Sequence, residues 1–281
     1  MGKRFVMNAK FIVAVLVAST FLPLCVIAQG DLMIMPRRLV FEENRRIHEI
    51  TLANTGQDTA TYSISFLQYH MTDDGNFETI TEPLPGQMFA DQYLRFFPRA
   101  VTLAPGESQI IRMQFRRRPG MAEGEYRSHI FFRAVPEERP LGEEEPVQDP
   151  TEISIRLIPV FGITIPAIIR KGNVWATVAI SNLNIVKESI NGPQLKLTFN
   201  REGNKSVFGD LTVDHISPDG SSTNIGFVSG IAIYTPNLIR NFTMPLVLSE
   251  GVDLSSGKLI IRFSSASDLQ PEIFAEAELK L

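Results

Sequence analysis

From Thr151 to Pro166 the chain reads TEISIRLIPVFGITIP, and its odd positions from Ile153 are Ile153, Ile155, Leu157, Pro159, Phe161, Ile163 and Ile165. Side chains of a β-strand alternate between faces, so this period of two predicts a strand with one consistently apolar face. The even positions begin polar at Ser154 and Arg156 and turn apolar at Ile158 and Val160, as for a strand running from a surface into an interior. It is about 14 residues long, where about 5–6 is usual. Such a strand either fills the core of its own sandwich or offers its apolar row to a partner.

The N-terminal stretch bears on where that partner would be met. Lys3, Arg4 and Lys10 precede an apolar run that begins at Phe11, and Val26-Ile27-Ala28 supplies modest or small residues for a cut after Ala28. This predicts a cleaved secretory signal peptide over 1–28. The run approaches the length of a membrane anchor, but Pro23 and the Ala28 site fit cleavage better, so no membrane insertion is expected after it. The only cysteine, Cys25, leaves with the signal, and no disulfide remains to staple the mature chain. Removing the three basic residues of the signal from 27 leaves 24 against 31 acidic, a net charge of −7. That balance argues against nucleic acid as a partner.

The rest of the chain repeats the strand pattern. Short alternating segments such as Thr59–Met71, Gln109–Arg116 and Glu125–Val135 are separated by turn signals at Asn54-Thr55-Gly56, Asp73-Asp74-Gly75-Asn76 and Ala104-Pro105-Gly106-Glu107. About seven strands in about 140 residues, with no long amphipathic helix, predict a β-sandwich of immunoglobulin type. Pro136–Pro150 is a Glu- and Pro-rich loop, and Arg170-Lys171-Gly172-Asn173 marks the end of the first domain. Further short strands follow from Val174 to Leu281, with turns at Arg201-Glu202-Gly203-Asn204 and Ser217-Pro218-Asp219-Gly220. The expected fold is therefore all-β, with two immunoglobulin-like sandwiches: 29–171, holding the long strand at 152–166, and 172–281.

Catalytic signatures do not emerge. The four histidines, His48, His70, His129 and His215, lie one per strand region without metal-ligand spacing and read as surface or satisfied residues. There is no nucleophile elbow, phosphate loop or zinc-protease helix. Asp73-Asp74 and Glu42-Glu43 sit beside turn or strand-end signals, and Trp175 and the phenylalanines read as core. No enzyme activity, metal or cofactor is expected.

Several stretches resemble the periplasmic chaperones that assemble pili by the chaperone–usher route, the PapD-like family. Arg38-Leu39-Val40-Phe41 is similar to the family's first-strand "R-x-V-F/Y", and Ile50–Thr55 to its "L-x-N" strand. Phe97-Pro98 through Leu103-Ala104-Pro105-Gly106-Glu107 to Arg112 resembles its proline- and glycine-marked third element. Glu125-Tyr126-Arg127-Ser128 through Pro136 resembles "D-R-E-S-x-F…I-P", with Arg127 in the acidic place, and Ile165-Pro166-Ala167 stands where "Y-R-P" is usual. The resemblance spans about residues 32–171, in order, within the 281-residue chain.

The resemblance implies two sandwiches set at an angle, boomerang-like, in the periplasm. The long strand would be lent to a pilin-like subunit that lacks its own last strand, before delivery to an outer-membrane usher. In that role Ile153, Ile155 and Leu157 fill the subunit's groove; three aliphatic side chains leaving water contribute roughly 5–9 kcal/mol as an upper bound. Arg38 matches the arginine that grips the subunit's C-terminal carboxylate. The family's second cleft cation, a lysine late in the donor strand, falls at Phe161 or Gly162 and is not found; Arg37, Arg127 and Arg133 are the auxiliary basic candidates. The alternative is a secreted two-domain structural or adhesive module of a surface fibre.

Overall fold

A computed structural model of the chain describes residues 32–136, 160–187, 192–249, 252–266 and 271–281. The expected signal peptide and the donor positions Ile153, Ile155 and Leu157 lie outside these residues.

In chain order the first sandwich comprises β1 (Leu32–Met35), β2 (Leu39–Phe41), β3 (Ile47–Asn54), β4 (Ala60–Leu67), β5 (Tyr69–Met71), β6 (Phe77–Thr79), β7 (Leu94–Phe97), β8 (Ala100–Leu103), β9 (Ser108–Phe115), β10 (Gly124–Val135) and β11 (Gly162–Lys171). One sheet has the order β1-β3-β9-β7 and the facing sheet β2-β11-β10-β4-β8, while β5 and β6 form a separate hairpin. The chain passes from the first sheet to the second between β1 and β2, at Pro36–Arg38. The core lies between the sheets and is built by alternation. In β9, for example, Ile111, Met113 and Phe115 are buried while Arg112 and Gln114 are exposed.

The second sandwich comprises β12 (Ala176–Val186), β13 (Gln194–Gly203), β14 (Val207–Ile216), β15 (Ser222–Ile233), β16 (Ile239–Pro245), β17 (Lys258–Ser264) and β18 (Ile273–Lys280). A three-stranded sheet, β12-β13-β16, faces a four-stranded one, β15-β14-β17-β18. Strict alternation along β14 turns Leu211, Val213 and His215 inward. The two large apolar clusters are separate: one draws only on Leu32–Ile169, the other only on residues from β12 onward. The fold is all-β, with two immunoglobulin-like sandwiches.

Turn chemistry follows the sequence where the backbone requires it. At the turn after β8, Gly106 takes φ +73°, and Glu107 Oε2 accepts from the Ala104 amide at 2.8 Å. Other expectations shift. Arg201 lies within β13, not in a turn, and is almost completely buried; its guanidinium donates to the carbonyls of Asn237, Gly203 and Lys205, each at 2.9 Å. Backbone acceptors on three sides make that burial tolerable. Trp175 is half exposed beside the start of β12 and is not core. Three of the four histidines, His48, His129 and His215, are buried.

The long strand also differs from the expected span. It continues past Pro166 to Lys171, pairing along its length with β10. From Ile165 onward its odd residues Ile165, Ala167 and Ile169 belong to this chain's own core. Its inner half is therefore an ordinary sandwich strand, and exposure begins at Ile163.

Candidate functional site

The site is organised by one face of β10. Its even residues Tyr126, Ile130 and Phe132 enter the first core. Its odd residues Glu125, Arg127 and His129 are buried too, on the opposite face, where they meet the second sandwich. Alternation puts these three polar groups in a row. Neighbouring strands extend the same face: Ile168 lies opposite Arg127 in β11, and Val40 in β2 is next to Ile168. Met71, Ile168, Ala232 and Tyr234 form a small apolar cluster between the sandwiches, flanked by Val40 and Phe208.

Arg38 stands immediately before β2 on this face. Its Nη1 donates to the Tyr234 hydroxyl at 3.0 Å. Its guanidinium carbon lies 4.6 Å from the Phe208 ring centre and 5.4 Å from that of Tyr234. Nη2 is buried without a hydrogen-bond partner among the described residues. Arg38 also lines a cavity of about 420 Å³ between the sandwiches, with Arg170, Lys205, Phe208, Glu272 and Phe274.

Arg127 also packs on Tyr234, with its guanidinium carbon 4.0 Å from the ring centre. Its Nη2 donates to the Tyr69 carbonyl at 3.3 Å, and its Nη1 has no partner among the described residues. Burial lowers its pKa to about 10, with repulsion from Arg38 adding to the effect and Tyr234 and Glu125 opposing it. It stays charged at neutral pH. No acidic group among the described residues forms an ion pair with Arg38 or Arg127. Two neighbouring cations held by rings and carbonyls, each with an idle N–H, have unfilled capacity for an anion. His129 packs edge-on against Tyr69, Phe77 and Tyr234. Burial, reinforced by Arg127 and Arg38, pushes its imidazole down to about 3, so the ring is neutral.

Two ties hold the sandwiches around this pocket. In the first, the buried Glu125 carboxylate accepts from Arg170 Nε at 3.3 Å, from the Ser206 amide at 3.1 Å and from the Ser206 hydroxyl. In the second, the turn between β5 and β6 reaches the second sandwich. Asn237 Nδ2 donates to the Met71 carbonyl at 2.7 Å, and the Asn241 amide donates to the Asp73 carbonyl at 2.7 Å. Gly75 in that turn has φ +82°, and a Cβ there would come within 2.8 Å of the Arg240 guanidinium.

The second feature is an open edge. β2 is short and covers β11 only from Ala167 to Ile169. Among the described residues no strand pairs with the same edge of Gly162–Pro166. A groove of about 240 Å³ lies there between β1 and β11, lined by Leu32, Met33, Ile34, Arg37 and Ile163–Ile165. Of its lining residues Met33 and Ile163 are exposed, as are Met35, Val160 and Phe161 nearby in sequence.

The structure thus brings Arg38 and Arg127 together and separates the other basic candidates. Arg37 is exposed and lines the edge groove. Arg133 is exposed and opposite Gly162, six residues along β10 from Arg127. Gly162 itself has no room for a side chain, because a Cβ would fall 2.2 Å from the Phe131 ring. A lysine could not replace it there without moving Phe131. Tyr234, Glu125 and His129 were not singled out by the sequence as site residues. The polar alternation Glu125, Arg127, His129 was visible but looks the same as a solvated face.

No family model and no curated protein matches the sequence. Among solved structures the chain is similar to the YadV chaperone, at 13% identity and TM-score 0.43 over 89% of this chain and 100% of that one. It is similar to a chain of the CsuC–CsuE chaperone–tip adhesion subunit complex of the archaic chaperone–usher Csu pili of Acinetobacter baumannii, at 13% identity and TM-score 0.46 over 87% and 97%. It is also similar to the CupB2 chaperone of Pseudomonas aeruginosa, at 11% identity and TM-score 0.41 over 88% and 98%.

Proposed function

We propose that this protein is a periplasmic chaperone that captures pilin-like subunits by strand donation and holds the subunit's C-terminal carboxylate on Arg38. Delivery to an outer-membrane usher belongs to the same reading, as does the division of the mature chain at 171/172. The carrying observation is that the open edge leads to the arginine. β2 runs parallel to β11 and starts at Leu39, opposite Ala167. An extended peptide added along Gly162–Pro166 would occupy the lane of β2 and end against Arg38. If it ran parallel to β11, its C-terminus would arrive there, and a guanidinium with an idle N–H suits a carboxylate. The edge itself offers main-chain donors and acceptors, and exposed Ile163 offers an apolar side chain. The donor positions Ile153, Ile155 and Leu157 precede this edge in the same chain.

Co-expression tests the reading. A secreted subunit with an incomplete sandwich should become soluble and protease-resistant only when this protein is present. Equal solubility and resistance without it would remove the chaperone role and leave the structural or adhesive module.

A further inference from the structure

We propose that Tyr234 of the second sandwich is the positioning residue for Arg38, so that the grip on an anion is assembled by the two sandwiches together. The proposal rests on reading Arg38 as the carboxylate anchor. It adds that the first sandwich alone does not orient that anchor.

Arg38 is a long side chain at a strand entry and has no ion pair among the described residues. Left to itself it would sample many rotamers and lose that freedom on binding. Tyr234 removes the freedom beforehand in two ways. Its hydroxyl accepts from Nη1 at 3.0 Å, and its ring, with that of Phe208, packs against the guanidinium, the ring centres lying 5.4 and 4.6 Å from the guanidinium carbon. The fork is thereby fixed with Nη2 idle, on a residue that lines the cavity between the sandwiches.

Tyr234 is itself well held. It is 5% exposed and packs with Met71, Ile168 and Ala232. The Asn237 amide donates to its carbonyl at 3.0 Å, and Asn237 is in turn bonded to the Met71 carbonyl at 2.7 Å. Arg127, against the same ring, adds a second positive charge to the same place. Among the described residues the one hydrogen bond of the Tyr234 hydroxyl is that from Arg38. Replacing Tyr234 by phenylalanine deletes it and keeps the ring that Arg127, His129 and Phe77 contact.

The test uses the full chain with arginine side chains labelled with 15N. Sodium acetate, the simplest carboxylate, is exchanged for sodium chloride at constant ionic strength, and the Arg38 Nε–H signal is followed after assignment with Arg38→Gln. Acetate should shift that signal in the unaltered protein. In Tyr234→Phe the same shift should need about 10-fold more acetate, as expected for loss of a hydrogen bond to a charged group. Before acetate is added the Arg127 signal should have the same position in both proteins, which separates a positioning effect from a collapsed pocket. Equal acetate dependence in the two proteins would overturn the role of Tyr234, and so would the absence of any acetate response. Acetate binding without subunit capture would instead remove the chaperone reading and leave Tyr234 in place.

Discussion

Arg38 donates to the hydroxyl of Tyr234 at 3.0 Å across 196 positions of sequence, and this bond joins the two sandwiches where Arg38 and Arg127 both approach one ring. One partner stands at the entry to β2 and the other just past the end of β15. The row formed by Glu125, Arg127 and His129 lies beside them on β10. Each of its members touches the second sandwich, through Ser206, Tyr234 and Tyr234 respectively. The surface that would hold an anion is therefore also the surface that fixes one sandwich against the other.

Arg38→Ala should abolish or greatly weaken subunit binding while leaving the fold intact. Its loss removes charge-assisted contacts, each worth about 1.5–3 kcal/mol, or roughly 10-fold or more in affinity. Its partners are a hydroxyl and two ring faces, none of which becomes a buried unpaired charge when it goes. A direct binding assay, with a urea unfolding curve beside it, checks both halves. Unchanged affinity would take Arg38 out of the anchor.

The edge makes a paired prediction from two residues of the same strand. Ile163→Asp should impair subunit capture with little cost in stability, because Ile163 is already 38% exposed. Ile165→Asp should destabilise the first sandwich itself, because Ile165 is 3% exposed within its core and a buried carboxylate would lack a partner. Further out, Ile155→Asp should block capture more than Ser154→Asp, since the two lie on opposite faces of the strand. Equal effects at 154 and 155 would mean that the register is wrong.

What the sequence carried was local. Period-two alternation predicted the strands, and the turns at Asn54–Gly56, Asp73–Asn76 and Ala104–Glu107 came from residues whose backbone preferences act within a few positions. Arg38 was reachable because it stands in a short motif. What failed to show was anything whose meaning depends on a second surface. Arg201 beside Gly203 reads as a turn, yet it is buried because carbonyls from Asn237 and Lys205 converge on it. Glu125, Arg127 and His129 read as a wet face, because a polar row against a sandwich 80 or more residues further on has the same pattern as one against solvent. The long strand was legible as a strand, but not where its own core stopped claiming its side chains; that change falls between Ile165 and Ile163.

Glu125→Ala should lower stability by about 3–5 kcal/mol, the usual cost of removing one partner of a buried pair. Arg170 loses its carboxylate, and the Ser206 amide and hydroxyl lose their acceptor. Glu125→Gln should cost less, because one oxygen remains to accept. Urea unfolding measures the size of the loss. Because Glu125 also holds Ser206 of the second sandwich, the alanine variant should also broaden the transition or split it in two. A single transition at the unaltered midpoint would mean that Glu125 does not tie the sandwiches together.

Acid should act on this interface through His129. The ordinary imidazole value is 6.5, and burial, with Arg127 and then Arg38 adding repulsion, lowers it to about 3 in the folded chain. The unfolded chain therefore binds the proton first. The stability that comes from keeping the ring neutral is complete above about pH 6.5 and is lost as pH falls toward about 3. Between about pH 7 and about pH 4 the loss is on the order of 3 kcal/mol. His129→Phe keeps a ring against Tyr69, Phe77 and Tyr234 but cannot take up the proton. Its urea midpoint should fall less over that interval than that of the unaltered protein. Parallel declines would show that carboxylates alone set the acid sensitivity, and that His129 is not kept neutral by its burial beside the arginines.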